Sequence, residues 1–471
     1  MLTRKETHIL KYLGAAAVGL FALVFTQIDV SLSGNEASRF AVVQAWGEQR
    51  VFHINGTEFR TVDRITRGGK IYSDKPLPLS WALGTVHAAV HVCTGLNFHD
   101  NYHLLIYLYG LFVGGLVNVL IFLWLFGHLR RRREGSVEKK FVIALGAVLG
   151  SWLLSYSVTV NNHSPAALAF LGWFIVLEKF GRLPGRRLAA VAGLTAGIVT
   201  ALDIPTGFFC CLVTPFVLYF SGGKNWRLAG TGVAACAAAG IGIASLNMYA
   251  YDTLLPLYVA GGGGTFSPGT DQKDHLFYAF EALAGGRGLL SYQPFLLFLV
   301  PGLGIFRKKF SAAERGALAC ALLCVLFYLV MTNEFGGAAY GFRYLIPVLP
   351  VLWYFAGAGF LGARARWKQG LAGFLLLWGV AASLVGAYAP FCLSFEGYRS
   401  PENHVTRIIR SSFAGNLLTW SYESAPDSAL TRALRRHYGQ EVSRRYLMSS
   451  FLMLKKVDAL GRIARESPQK K

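Results

Sequence analysis

A helix needs about 20 apolar residues to cross the roughly 30 Å hydrocarbon core of a bilayer. This chain holds eleven apolar runs that meet or approach that length, at about 12–29, 105–127, 141–160, 165–178, 188–203, 206–220, 228–250, 288–306, 316–333, 344–363 and 369–390. In lipid every backbone polar group must find its partner inside the segment, which leaves the helix as the natural form for such runs. The sequence therefore predicts an all-α integral membrane protein of about eleven spans. The runs 165–178 and 206–220 are the shortest of them. The stretch 77–96 is apolar too, but it opens on Leu77-Pro78 and carries His87 and His91, so it reads as an interfacial or re-entrant helix. Composition agrees: 54% of residues are hydrophobic and only 15% charged, with mean hydropathy +0.42. A soluble protein carries about 25% charged residues, so a soluble enzyme, a coiled coil and a disordered chain are all excluded.

The net charge of +21, from 46 Lys+Arg against 25 Asp+Glu, would suggest nucleic acid in a soluble protein. Here the membrane explains it, because basic residues gather beside spans and at anionic headgroups; no nucleic-acid partner is expected. With the N-terminus and every second loop assigned to the cytoplasm, those segments hold 22 basic residues, and the opposite side holds 10 before the tail. That split predicts an uncleaved first span, a cytoplasmic N-terminus, outer segments at 30–102 and 250–293, and a basic polar tail at 391–471 on the outer side. Residues 1–390 then form one multi-span unit. The seven cysteines make no CxxC pair and sit mostly in apolar runs, as small core residues.

A transporter places ionisable groups near the bilayer midplane. None of the eleven runs has one in its middle; Asp203, Arg343 and Glu178 lie at or beside ends. Chemistry therefore belongs at a membrane surface, and the long outer loop 30–102 is where to look. Directly after the first span comes Gly34-Asn35-Glu36-Ala37-Ser38-Arg39-Phe40, opening an amphipathic helix through Trp46. Then follow Thr61-Val62-Asp63-Arg64 and Ile71-Tyr72-Ser73-Asp74-Lys75-Pro76, which leads into the interfacial helix. Two further motifs lie at outer helix ends, Asn161-Asn162-His163-Ser164 and Gly341-Phe342-Arg343-Tyr344-Leu345-Ile346-Pro347. The four glycines at 261–264 follow no strand and lack the Lys of a phosphate-binding loop, and Asn55-Gly56-Thr57 matches a glycosylation sequon of low specificity.

An acid at the membrane surface followed by an Asp-Lys-Pro turn resembles the GT-C integral-membrane glycosyltransferases, in particular the polyprenyl-phosphate-sugar family of the aminoarabinose and protein-mannosyl transferases. Those proteins carry Asp-Glu-(Ser/Thr)-Arg-Tyr after the first span and Tyr-x-(Asp/Glu)-Lys-Pro about 35 residues on. Aligning the Arg-aromatic pair places Glu36 at the catalytic Asp, with Ala37 where a second acid is usual, and Asp74 and Lys75 on the second motif. The likeness is detailed over about 30–80, patchy to about 350 and absent from the tail.

What the resemblance implies is transfer of a sugar from a polyprenyl-phosphate donor to a lipid, glycan or protein acceptor, on the non-cytoplasmic face of a bacterial inner membrane. Glu36 would be the general base, a role worth about 10²–10⁴-fold. Lys75, Arg39 and Arg343 would neutralise the departing phosphate. Asp74, Tyr72, Asp63 and Asn162 would support them, and His163, or Asp74, could ligate a divalent metal ion. Direct displacement predicts inversion at the anomeric carbon. Two other classes remain open from sequence: a lipid or polysaccharide transporter, which the uncharged span interiors disfavour, and a non-catalytic assembly subunit, which Ala37 would suit.

Overall fold

The computed structural model describes residues 4–30, 33–260, 272–306, 310–332, 336, 339–362, 365–391, 412–413, 416–417, 427–429 and 432. Helix α1 (Arg4–Phe25) is the first described element, and α2 (Gly34–Gln49) follows it. A two-stranded antiparallel hairpin follows, β1 (Arg64–Arg67) and β2 (Lys70–Ser73), with Ile65 opposite Tyr72. Gly68 and Gly69 both have positive φ, +55° and +75°, as a two-residue hairpin turn requires. Helix α3 (Leu77–Thr94) then packs along α2.

Among the described residues, eight helices are long and apolar enough to cross a membrane: Glu6–Phe25, Phe98–Leu129, His163–Arg182, Ile204–Ser221, Trp226–Tyr251, Ala312–Met331, Arg343–Leu361 and Arg366–Tyr388. This is a multi-pass membrane protein. The runs at 165–178 and 206–220, short in sequence, belong to helices of 20 and 18 residues. Three other apolar runs are helical but shorter or broken. Arg186–Leu202 has 17 residues. The 288–306 run divides into Leu289–Tyr292, a 3-10 turn at Pro294–Phe298, and Leu299–Phe306.

The 141–160 run is cut between Val137–Leu149 and Trp152–Tyr156, where Ser151 donates to the Ala147 carbonyl at 2.6 Å. A break inside lipid must re-satisfy its freed backbone. Asn118, fully buried in Phe98–Leu129, does so by donating to the Leu153 carbonyl at 2.9 Å. That long helix carries a π-helical turn at Leu111–Leu116, and a Cβ on its Gly114 would stand 2.0 Å from the Ser157 carbonyl oxygen. The close contact admits glycine alone.

The main core lies between the long helices and includes Phe122, Trp152, Trp173 and Trp353. A second, separate core underlies the segment 30–102, built on Phe40, Phe59, Leu77, Phe98 and Tyr109. It forms a platform rather than a loose loop. Helix α2 is buried at every residue from Glu36 to Ala45, which corrects the amphipathic helix expected from sequence: α3 and the hairpin cover the face that would otherwise meet water. Most of the 391–471 tail lies outside the described residues, as do the glycines at 261–264. Of the tail's described residues, Asn416 donates to the Val385 and Ala389 carbonyls, and Ser412 accepts from the Gly341 N–H at 3.1 Å.

Candidate active site

The N-terminus of α2 carries a familiar capping pattern, Ser33 with Glu three residues later. Ser33 Oγ accepts from the Glu36 N–H at 3.0 Å, but Glu36 does not complete the exchange, since the Ser33 N–H goes to the Val30 carbonyl. Another helix of this chain shows the completed form: Ser311 and Glu314 bond each other's backbone at 3.1 and 2.8 Å. The Glu36 carboxyl is diverted. Its Oε1 accepts the Val160 N–H at 2.7 Å, while Oε2 is buried with no hydrogen-bond partner. Burial, at 1% exposure, raises its pKa to about 8, opposed by the Val160 bond and Arg39 and reinforced by Asp29. At neutral pH this group is mainly the protonated acid.

One turn along α2, Arg39 is equally buried. Its Nη2 donates to Asn162 Oδ1 at 2.7 Å and its Nε to Asn35 Oδ1 at 3.3 Å, leaving a buried Nη1 without a partner. Asn162 is held in turn by donating to the Leu202 carbonyl. Burial and the nearby positive charge of Arg343 lower the Arg39 pKa to about 10, with Asp74, Asp63 and Glu36 acting the other way. Arg39 stays charged, under pressure from a second guanidinium.

Arg343 begins the helix Arg343–Leu361, with its guanidinium carbon 5.8 Å from the Tyr344 ring centre and 5.6 Å from that of Phe391. Ring faces hold the cation without using its N–H donors, and Nε is buried with no partner. The third cation is differently placed. Lys75 Nζ stands 2.9 Å from Asp63 Oδ2 and 3.1 Å from Asp74 Oδ1. Burial raises the pKa of Asp74, and Lys75 opposes it. Ser38 ties this corner to α2, bonding the Asp63 carbonyl at 2.6 Å and Ser73 Oγ at 2.7 Å.

Of the residues singled out in sequence, Glu36, Arg39, Asn162, Arg343, Asp63, Asp74 and Lys75 thus form one connected cluster at one end of the helices. Tyr72 stands at its edge, its ring set edge-on to Tyr251. His163 lies beside the cluster, its ring against that of Tyr344, but pairs with Asp203, Nδ1 lying 3.1 Å from Oδ2. Asp203, in sequence only the polar end of a span, is the partner that no motif marks. It caps Ile204–Ser221, accepting from the Thr206 N–H and hydroxyl, and the Asp-Ile-Pro start was the available signal.

The cluster can be tested for a divalent ion by its donors. Asp63 and Asp74 close on an ammonium, and His163 is paired with Asp203. No three His, Cys, Asp or Glu side chains converge among the described residues. This donor set does not fit a metal ion.

Neither a family model nor a curated protein matches the chain in sequence. In three dimensions it is similar to ArnT, an aminoarabinose transferase, from Cupriavidus metallidurans, solved bound to undecaprenyl phosphate. The TM-score is 0.50 at 14% identity, covering 92% of this chain and 74% of that one. The fold is GT-C-like. A second similar structure, the apo oligosaccharyltransferase of Archaeoglobus fulgidus, covers 94% of this chain and 60% of that one at 12% identity and a TM-score of 0.44. Within a GT-C-like fold the platform of α2, hairpin and α3 is the surface element that the span pattern left unexplained.

Proposed function

We propose that this chain is an inverting glycosyltransferase that moves a sugar from a polyprenyl-phosphate donor to an acceptor hydroxyl on the non-cytoplasmic face of a bacterial inner membrane. One observation carries the proposal: a buried carboxyl with an unpartnered oxygen, Glu36 Oε2, in the same cluster as two guanidiniums that keep buried, unpartnered N–H groups. Open valences of opposite function buried in one cluster suit a reaction that needs a proton acceptor and an anion clamp together.

In the reaction the acceptor oxygen forms a bond to the anomeric carbon and its proton passes to ionised Glu36. The bond from that carbon to the phosphate oxygen breaks, and the phosphate keeps the electron pair. Arg39 Nη1 and Arg343 Nε meet the charge that develops there. Lys75 balances Asp63 and Asp74, so that these acids do not repel the phosphate. The aminoarabinose transferase was solved with undecaprenyl phosphate, and α3 here exposes Trp81, Val86 and Val92, a face along which an isoprenoid could approach from the bilayer. The test is direct: purified protein given a polyprenyl-phosphate sugar and acceptor extract should release free polyprenyl phosphate. A transporter or an inert assembly subunit would return the donor intact.

A further inference from the structure

The other end of the bundle holds a second site. The helix His163–Arg182 joins the two: Glu178 lies about four turns beyond His163, about 22 Å along the axis. There the ends of Phe98–Leu129 and His163–Arg182 and the start of Ala312–Met331 border a cavity of about 560 Å³, a size suited to a small ligand.

Part of its lining is already satisfied. Arg132 donates to Glu314 at 2.6 Å and to the Tyr354 hydroxyl at 2.8 and 3.0 Å. Glu314 is also held by the Ser311 N–H. His128 Nε2 lies 2.9 Å from Glu178 Oε1. What remains open is Glu178 Oε2, buried with no hydrogen-bond partner, on a side chain only 10% exposed. The nearest Arg182 nitrogen is 3.9 Å from it, beyond hydrogen-bond reach, on a side chain 62% exposed. Arg131 adds a second exposed cation to the cavity wall.

We propose that this cavity binds a phosphate ester carrying a primary ammonium, the chemistry of an aminophospholipid headgroup. The ammonium would donate to Glu178 Oε2, and the phosphate would lie between Arg182 and Arg131. A purely anionic ligand would leave the buried carboxylate oxygen unmatched, which is costly; a simple amine would leave both guanidiniums unused. Leu129 and Arg182 end candidate spans, so the cavity opens at headgroup level, and Phe216 and Phe220 on the neighbouring Ile204–Ser221 are exposed for acyl chains. The inference is independent of the glycosyltransferase proposal, because it concerns binding at the opposite end.

Native mass spectrometry of the detergent-purified full chain, titrated with short-chain phosphatidylethanolamine, phosphatidylglycerol and phosphatidylcholine, tests it. The ethanolamine lipid should bind about tenfold more tightly than either of the others, which lack an N–H donor at that position. Glu178→Gln should abolish its advantage over the glycerol lipid, whereas Arg182→Ala should weaken both. Excess free O-phosphoethanolamine separates the sources: retention of the lipid assigns the site to the membrane headgroup, and displacement assigns it to the soluble ester. Equal affinity of the wild type for the ethanolamine and glycerol lipids would overturn the proposal, as would an unchanged preference in Glu178→Gln.

Discussion

In the proposed reaction the chemistry turns on Glu36, because burial and one backbone bond leave it a single usable oxygen. Its pKa near 8 fixes the sign of a pH dependence. Below that value the carboxyl holds its own proton and cannot take another; above it the base form dominates. Turnover should rise by about tenfold per pH unit up to about 8 and then level, and this limb should vanish in Glu36→Gln. A flat profile between pH 6 and 9 in the wild type would remove Glu36 from the proton path. Arg343 makes a second prediction. A buried contact to phosphate contributes about 1.5–3 kcal/mol, against about 0–1 for an exposed charge. Arg343→Ala should therefore weaken donor binding by at least about tenfold, while Lys70→Ala, at the exposed end of β2, should leave it nearly unchanged. Equal donor affinity in the two variants would place Arg343 outside the site.

At the scale of elements, α2 is aimed by a network remote from the chemistry. Glu48, near its end, accepts from His87 at 3.0 Å, the Phe98 N–H at 2.7 Å and Gln44 at 3.1 Å, and His87 reaches the Tyr109 hydroxyl at 2.8 Å. These bonds join α2 to α3 and to Phe98–Leu129 and hold the Glu48 pKa below its ordinary value; burial works against them. Glu48→Ala leaves a buried histidine and an N–H without their acceptor, at about 1–3 kcal/mol each. Thermal unfolding should shift down by several degrees, and a variant with the wild-type Tm would show that the network is dispensable. Such long-range ties also mark what could be read in sequence. The spans, α2, α3 and the cluster formed by the motif residues were legible, because hydropathy and short motifs are local. The partner of Glu36 was not: Val160 contributes only a backbone N–H, 124 residues away. The hairpin was missed although Gly68-Gly69 sits between its strands, since four-residue strands barely establish a period. The break in 141–160 was hidden by an unbroken apolar run, and its signal is Asn118 on another helix.

Across the whole molecule, the Glu36 cluster and the Glu178 cavity lie at opposite ends of one apolar bundle, and the expected orientation rests on the 22 to 10 split of basic residues between alternate loops of the sequence. The Glu36 platform should face the non-cytoplasmic side. In a background with Cys93 and Cys392 replaced by Ser, an impermeant maleimide should label Lys70→Cys on intact cells and leave Arg133→Cys unlabelled until the membrane is opened. The reverse pattern would invert the topology and move the site to the cytoplasm. The most direct test of the account is a paired measurement of free polyprenyl phosphate released from a polyprenyl-phosphate sugar by wild-type protein and by Glu36→Gln, at pH 8 and with donor binding measured alongside. The wild type should release it, with a fall of about 10²–10⁴-fold in the variant and little change in donor affinity. Release by Glu36→Gln at the wild-type rate would contradict this.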